Sequence, residues 1–379
     1  MPQHPAQPQF FAGRKSEIDD FRKAAFNSAK LDPPAPINYA ILGTWGMGKT
    51  SLLYEFKQIA LEELKDTIKC TSFFLALSPQ SCRTWDDFTN HFLRSVRTTV
   101  ATTEGIRTKI MEEIKKWDIE LNTGVIKAKR EKATSSPDFL EALENLWWKH
   151  LEPKGTEIAF VFLDDLHYFP IKSDDSSYLN LRTTFQELVH RGCNYSLVVT
   201  APTGLLTAIA ESAEPMIRFF TQFNLAPFTL AEAKEGIRKR LASTRQGIVV
   251  NDDVMESIVT KTQGHPYFVI YVMFELLSRL ENIKMVNMKS LEQNWPKIRA
   301  SLFRTVFEQK FKNAAPKERE LLIKIAKCGS EIVSASDFPK FKGANTFFSR
   351  LEQSELLLRK ERGEYSLFHP LFAEYLRDQ

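Results

Sequence analysis

Cysteine is scarce in this chain of 379 residues, which holds four: Cys70, Cys82, Cys193 and Cys328. No two stand at C-x-x-C spacing and no histidine cluster lies near them, so the ligand pattern of a zinc site is missing. Scattered single thiols are what a reducing cytosol keeps. Long apolar runs are missing too. The most apolar stretch, 267–277, is far too short to cross a bilayer and reads as a buried helix. The first nine residues are rich in Pro and Gln without an apolar centre, which does not fit a signal peptide, and a cytoplasmic protein is expected. Nor is there a strong excess of either charge: 51 Lys and Arg against 47 Asp and Glu give a net +4. That balance permits contact with nucleic acid without demanding it. There is no internal repeat. What remains, 43% hydrophobic and 26% charged residues, is the composition of a soluble globular protein long enough for two or three domains.

Strand-like apolar runs alternate with helical stretches through roughly the first 230 residues, the order of a parallel sheet covered by helices. The runs are 37–42, 70–77, 158–163, 196–200 and 223–225, several of them apolar throughout, as strands buried on both faces are. An insertion lies between the second and third. Residues 85–99 and 106–117 read as helices, 118–129 as a short hairpin turning at Asn122-Thr123-Gly124, and 127–136 as a charged, Ser/Thr-rich loop. From Thr229 on the pattern is helical, over 230–243, 252–263 and 267–280, followed by a linker helix over 291–311. The last part, 315–379, reads as helix, short helix, helix and two strands, 356–359 and 365–368, that turn at Glu361-Arg362-Gly363. Three helices and a hairpin is the order of a winged helix.

The most specific signal is Gly43-Thr44-Trp45-Gly46-Met47-Gly48-Lys49-Thr50, which fits G-x-x-x-x-G-K-[ST] behind a predicted strand and ahead of a helix opening at Ser51. Its glycines let backbone N–H groups close around a phosphate with no Cβ in the way, and the new helix aims its N-terminus at the anion. In such a loop Lys49 neutralises β- and γ-phosphate oxygens and the Thr50 hydroxyl takes one Mg²⁺ position. The second half of the site needs a carboxylate at the end of an apolar strand, and the strand over 158–163 runs into Asp164 and Asp165. Asp164 is the expected Mg²⁺ partner and Asp165 the group that orients the attacking water. An Asp behind a strand also serves as an ordinary helix cap. Asp165 is one methylene shorter than a glutamate, so slow hydrolysis is expected.

The sequence resembles the STAND branch of the AAA+ ATPases, in particular the archaeal-type ATPases related to origin-recognition and replication-initiator ATPases. Beyond the two motifs, Phe11-Ala-Gly13-Arg14-Lys-Ser-Glu17 is similar to the family's F-x-G-R-x-x-E segment, which implies that Phe11, Gly13 and Arg14 lie near the adenine. The strand over 196–200 ends in Thr200-Ala-Pro-Thr203, where the family places a polar sensor of the γ-phosphate. Gly264-His265-Pro266 matches the G-x-P of the helical lid and implies a nucleotide contact at Pro266. Arg350-Leu351, Leu356, Tyr365, His369-Pro370-Leu371 and Tyr375-Leu376 resemble the family's winged-helix end. Arg218, just ahead of the fifth strand, stands near the place of an arginine finger in oligomeric relatives; an ordinary surface arginine is the other reading. No arginine follows Pro266 closely, where initiator ATPases carry a second sensor, and this favours the STAND side of the resemblance.

The expected architecture is a three-layer α/β/α P-loop ATPase core over 1–228, with an insertion at about 84–150, a helical lid and linker over 229–300, and a winged helix over 301–379. The resemblance implies ATP and Mg²⁺ as cofactors and a slow ATPase switch that regulates a partner protein, as a monomer or a nucleotide-dependent homo-oligomer. The alternative is an initiator-type or transposition-regulator ATPase that assembles on duplex DNA. For that role Lys340, Lys342 and Arg350 flank or occupy the candidate reading helix, and Arg359, Lys360 and Arg362 stand at the wing. Glu352, Glu355, Glu361 and Glu364 are interleaved with them, a weaker electrostatic footprint than dedicated DNA readers carry.

Overall fold

A computed structural model describes residues 4–31, 35–102, 137–169, 177–205, 209, 216, 218–243, 247–280 and 284–379. The helix expected at 106–117, the hairpin at 118–129 and the loop at 127–136 lie outside the described residues. The described chain divides into two compact units. One comprises Arg14–Gly43 and Lys49–Leu225, the other Met1–Gly13, Thr44–Gly48 and Ala226–Gln379.

The first unit is built on a sheet of five parallel strands, β1 (Tyr39–Leu42), β2 (Cys70–Ala76), β3 (Ile158–Asp164), β4 (Tyr195–Ala201) and β5 (Thr221–Asn224), in the spatial order β2-β3-β4-β1-β5. Helices α1 (Lys15–Lys30), α2 (Lys49–Gln58), α3 (Trp85–Thr102), α4 (Pro137–Leu146) and α5 (Ser177–His190) belong to the same unit. All seven residues of β3 and of β4 are buried, which is why these runs carry no polar alternation: both faces of a central parallel strand lie under cover. The strand expected from residue 37 starts at Tyr39, because polar side chains replace the ladder ahead of it. The Ile37 N–H donates to Ser196 Oγ at 3.0 Å, and Asn38 Oδ1 accepts from the Leu197 N–H at 2.9 Å. This is an α/β P-loop architecture, and β4 stands between the strands that end at the phosphate loop and at Asp164.

In the second unit α6 (Leu230–Ser243), α7 (Asp252–Thr262), α8 (Pro266–Ser278) and α9 (Met288–Leu302) pack around Ile237, Val254, Ile258, Val269, Val272 and Leu276. Two short strands, β6 (Val249–Val250) and β7 (Met285–Val286), pair in parallel beside them. Pro266 opens α8 at its first turn, where a missing N–H costs nothing. From α9 the helix runs on through Phe303–Phe307 into α10 (Glu308–Asn313). Then follow α11 (Pro316–Cys328), α12 (Ala344–Gln353), the antiparallel pair β8 (Leu357–Glu361) and β9 (Glu364–Leu367), and α13 (Pro370–Arg377). Their core holds Phe307, Leu322, Phe348, Leu351, Phe372 and Leu376. Val333 and Tyr365 exchange both backbone hydrogen bonds, each 2.8 Å, which adds a rung beside the hairpin.

Two boundaries differ from the sequence reading. The expected division at 300/301 falls inside α9. The first thirteen residues, assigned to the core on chain order, join the second unit instead. There Lys239 Nζ donates to the Phe11 carbonyl at 2.7 Å and Arg240 to that of Phe10 at 3.2 Å.

Candidate functional site

The ends of β1, β3 and β4 gather the chemistry of the first unit. Register fixes the meeting: Ile41 pairs with Thr200, and Leu163 pairs with Val199. Thr200 therefore comes level with Asp164 on one side and with the strand leading to Gly43 on the other. Ligands of open α/β sheets bind outside such carboxyl ends, where the order of strands reverses.

Four side chains converge there. Thr50 Oγ1, on the first turn of α2, donates to Asp164 Oδ1 at 3.1 Å. Thr200 Oγ1 donates to the same oxygen at 2.5 Å and accepts the Asp165 N–H at 2.8 Å. Lys49 Nζ donates to the carbonyl of Gly43 at 2.7 Å. Gly43 is itself tied to the sheet by its N–H to the Ala201 carbonyl, 3.3 Å. Asp165 sits in the left-handed region, φ 63° and ψ 51°, a conformation that Asp tolerates better than most side chains. Its bonded amide holds it there.

Burial pushes the carboxyl of Asp164 above the usual carboxylate range, the Thr200 hydrogen bond pulls it down, and the charge of Asp165 pushes it up again. Burial likewise raises Asp165, against the pull of Lys49. A cation at this point would relieve both carboxylates. The donors suit Mg²⁺: one hydroxyl and one carboxylate, hard oxygens 3.1 Å apart, the small protein ligand set that Mg²⁺ takes alongside phosphate and water. Among the described residues no group of three or more His, Cys, Asp or Glu side chains could hold a metal, so a dedicated protein cage is not what these residues form.

The structure thus brings together Gly43, Lys49, Thr50, Asp164, Asp165 and Thr200. Ser51 follows on α2, half-buried. The loop apex, Thr44, Trp45, Gly46, Met47 and Gly48, belongs to the second unit, as do Phe11, Gly13 and the buried Pro266. Gly46 and Gly48 have φ of +79° and +90°, values that the tight loop demands and glycine supplies. Arg14 is buried, with φ 59°, at the start of α1. Arg218 is exposed, three residues ahead of β5.

No family model matches the chain, and no curated protein does. Solved structures do. A Walker-type ATPase of Pyrococcus abyssi is 15% identical, with both chains covered in full and a TM-score of 0.59. The ORC2 protein of Aeropyrum pernix, in ADPNP–ADP complexes, is 13% identical over 100% of this chain and 96% of that one, with a TM-score of 0.63. The fold is similar to that of these Walker-type and ORC proteins. Cdc6p from Pyrobaculum aerophilum shares it at 10% identity, 100% and 97% coverage and a TM-score of 0.52. Identities this low carry the likeness of fold and no more.

Sequence reasoning passed over His167. Its Nδ1 stands 3.7 Å from Asp165 Oδ1, across the left-handed turn that Asp165 opens. The signal was local: a histidine two residues behind the second aspartate.

Proposed function

We propose that the chain binds MgATP at the group around Asp164, hydrolyses it slowly, and acts as a nucleotide-dependent switch on a partner protein. The observation that carries this reading is the 3.1 Å contact between Thr50 Oγ1 and Asp164 Oδ1, which joins the phosphate-loop hydroxyl and the strand-end carboxylate within reach of one metal ion. The adenine nucleotides in the ORC2 complexes support ATP over another triphosphate. A bound Mg²⁺ would neutralise charge on the β- and γ-phosphate oxygens. Lys49 binds the same oxygens, Asp164 and Thr50 hold the metal, and Thr200 fixes both aspartates. Asp165 orients a water and takes its proton. The short reach of an aspartate supports a slow rate.

The second unit supplies the switching parts on this reading. We take α6–α9 as the lid and α11–α13 with the hairpin as a winged helix, whose arrangement the γ-phosphate biases. A second reading, contact with duplex DNA, is favoured by one observation: Lys340, Lys342, Arg350, Arg359, Lys360 and Arg362 are all exposed. Glu361 and Glu364 are exposed among them, which keeps it second.

Calorimetry with MgATP on the wild type, Lys49→Ala and Asp165→Asn tests the proposal, together with phosphate release. Lys49→Ala is expected to abolish binding, and Asp165→Asn to bind with little release. Unchanged affinity in Lys49→Ala would overturn the phosphate assignment, and equal release in Asp165→Asn the role of that carboxylate.

A further inference from the structure

The apex of the phosphate loop is built into the second unit by contacts that nucleotide binding does not by itself require. His265 Nε2 lies 3.1 Å from the carbonyl of Trp45. A carbonyl only accepts, so Nε2 carries a proton and donates it. The Tyr267 N–H donates to the carbonyl of Gly46 at 3.2 Å. The Trp45 indole packs on the Tyr267 ring at 4.4 Å, and Lys310 Nζ stands 4.6 Å from its centroid and 5.4 Å from that of Phe368. Gly46 is a glycine for space as well as conformation: a Cβ there would meet His265 Cε1 at 2.7 Å and Tyr267 Cβ at 2.8 Å.

Peptide geometry gives these contacts a consequence. In a planar trans peptide the C=O and the next N–H point in opposite directions. A donor on the Trp45 carbonyl therefore aims the Gly46 N–H, and a donor on the Gly46 carbonyl sets the Met47 N–H, which bonds back to the Thr44 carbonyl at 3.3 Å and so pins the turn. Those amides belong to the loop that is read here as the phosphate cradle. Behind His265 the contacts continue. Its ring stacks on Phe268 at 4.3 Å, and Phe268 meets His369 edge-on at 4.6 Å. His369 Nδ1 accepts the Leu371 N–H at 3.1 Å and so caps α13, while its Nε2 donates to the Thr262 carbonyl at 2.9 Å.

We propose that His265 is a positioning residue for the phosphate loop: through the Trp45 carbonyl it aims the Gly46 amide at the apex, and through Phe268 and His369 it ties that apex to the last helix of the chain. The inference rests on the nucleotide-binding reading and adds how the loop apex is held by the elements of its own unit. The lid motif thereby acquires a role for its middle residue.

The test is calorimetry of MgATP and MgADP with His265→Gln, which keeps an N–H donor at the position of Nε2, and His265→Leu, which has none. His265→Leu is expected to weaken both nucleotides about tenfold, the effect of one lost hydrogen bond, and His265→Gln to stay within about threefold of the wild type. A merely structural role for the buried ring would make the two variants equally weak, and that result overturns the proposal, as does wild-type affinity in His265→Leu. Should His265→Leu fail to fold by thermal melt, Lys310→Met takes its place. That half-buried cation clamps Trp45 without entering the core, and its removal is expected to weaken both nucleotides about threefold; unchanged affinity would sink the idea. A wild type that binds neither nucleotide defeats the nucleotide reading itself. A wild type that binds while the variants match it defeats this inference alone.

Discussion

Asp164 Oδ1 takes hydrogen bonds from two threonine hydroxyls, and the second of them, Thr200, also receives the amide of Asp165. A single hydroxyl thus sets one carboxylate and the backbone of the next residue. Thr200→Val keeps the shape and removes both bonds, leaving a part-buried N–H and part of a carboxylate short of partners. The expected cost is about 2 kcal/mol, a drop in Tm of roughly 4–8 °C for a unit of this size, and about tenfold lower phosphate release, equivalent to roughly 1.4 kcal/mol of lost transition-state stabilisation. Thr200→Ser restores the hydroxyl and should recover most of both. Thermal melts and phosphate release check the pair, and a valine variant that melts and turns over like the wild type would show that the bridge does nothing. Residues 43–50 and Asp164 were legible in the sequence because each motif is local: a glycine loop behind a strand, an acid at a strand end. Thr200 was legible as a polar residue at the end of the right strand. Its two partners were not, because they depend on β4 lying between β1 and β3, a pairing between segments far apart in the chain.

At the scale of elements, two joints of the second unit rest on few residues, one on a glycine and one on a pair of histidines. Gly264, between α7 and α8, has φ +67°, and a Cβ on it would stand 2.3 Å from the carbonyl oxygen of Phe228. Backbone cannot swing aside as a side chain can, and the same carbonyl group region is anchored by the Phe228 N–H bonding Gly264 O at 2.8 Å. Gly264→Ala is expected to destabilise this unit by roughly 2–3 kcal/mol, read as a lower melting temperature; an unchanged melt would mean that the joint relaxes freely. The second joint is acid-sensitive. Burial lowers the His265 pKa to about 3, helped by His369 and Lys310 nearby, and burial lowers His369 to about 4. Their unfolded values near 6.5 are higher, so the unfolded chain binds more protons as pH falls. The stability these neutral rings contribute is fully present above about pH 6.5 and is lost as pH falls toward the folded values, with a slope approaching about 1.4 kcal/mol per pH unit for each ring. Denaturant melts at pH 7 and pH 5 should show the loss in the wild type and a shallower one in His369→Asn. Equal stability at the two pH values would contradict the buried neutral pair. The elements themselves were largely legible. Apolar runs buried on both faces gave β3 and β4 nearly to the residue, and the edge strand β2, half-buried, came from its Phe-Phe-Leu run, whereas β6 and β7, two residues each, have too few side chains to make a pattern.

Over the whole chain the unsettled partner turns on electrostatics, and charge makes a quantitative demand. A protein that covers Z phosphates loses affinity with salt at a slope of about −0.9Z. The exposed Arg359, Lys360 and Arg362 of the hairpin are opposed by Glu361 and Glu364 beside them, and Arg359 also faces Glu352, 3.9 Å away. With a net charge of only +4 over 379 residues, no long-range field compensates for that cancellation. If the hairpin meets DNA, replacing all three basic residues by Ala should reduce the slope of log K against log salt by about 3 and leave ATP turnover as it was. Titrations of a labelled duplex with MgATP, from low to physiological salt, decide this. A slope unchanged by the triple substitution removes the hairpin as the contact, and no binding at the lowest salt removes duplex DNA and leaves the protein partner. The sequence could pose this choice and could not make it, because chain order shows which charges are neighbours along a strand but not which carboxylates fold back beside them. The same limit hid the strap of Phe10–Ala12, whose hold on α6 comes from Lys239 and Arg240, more than two hundred residues away in the chain.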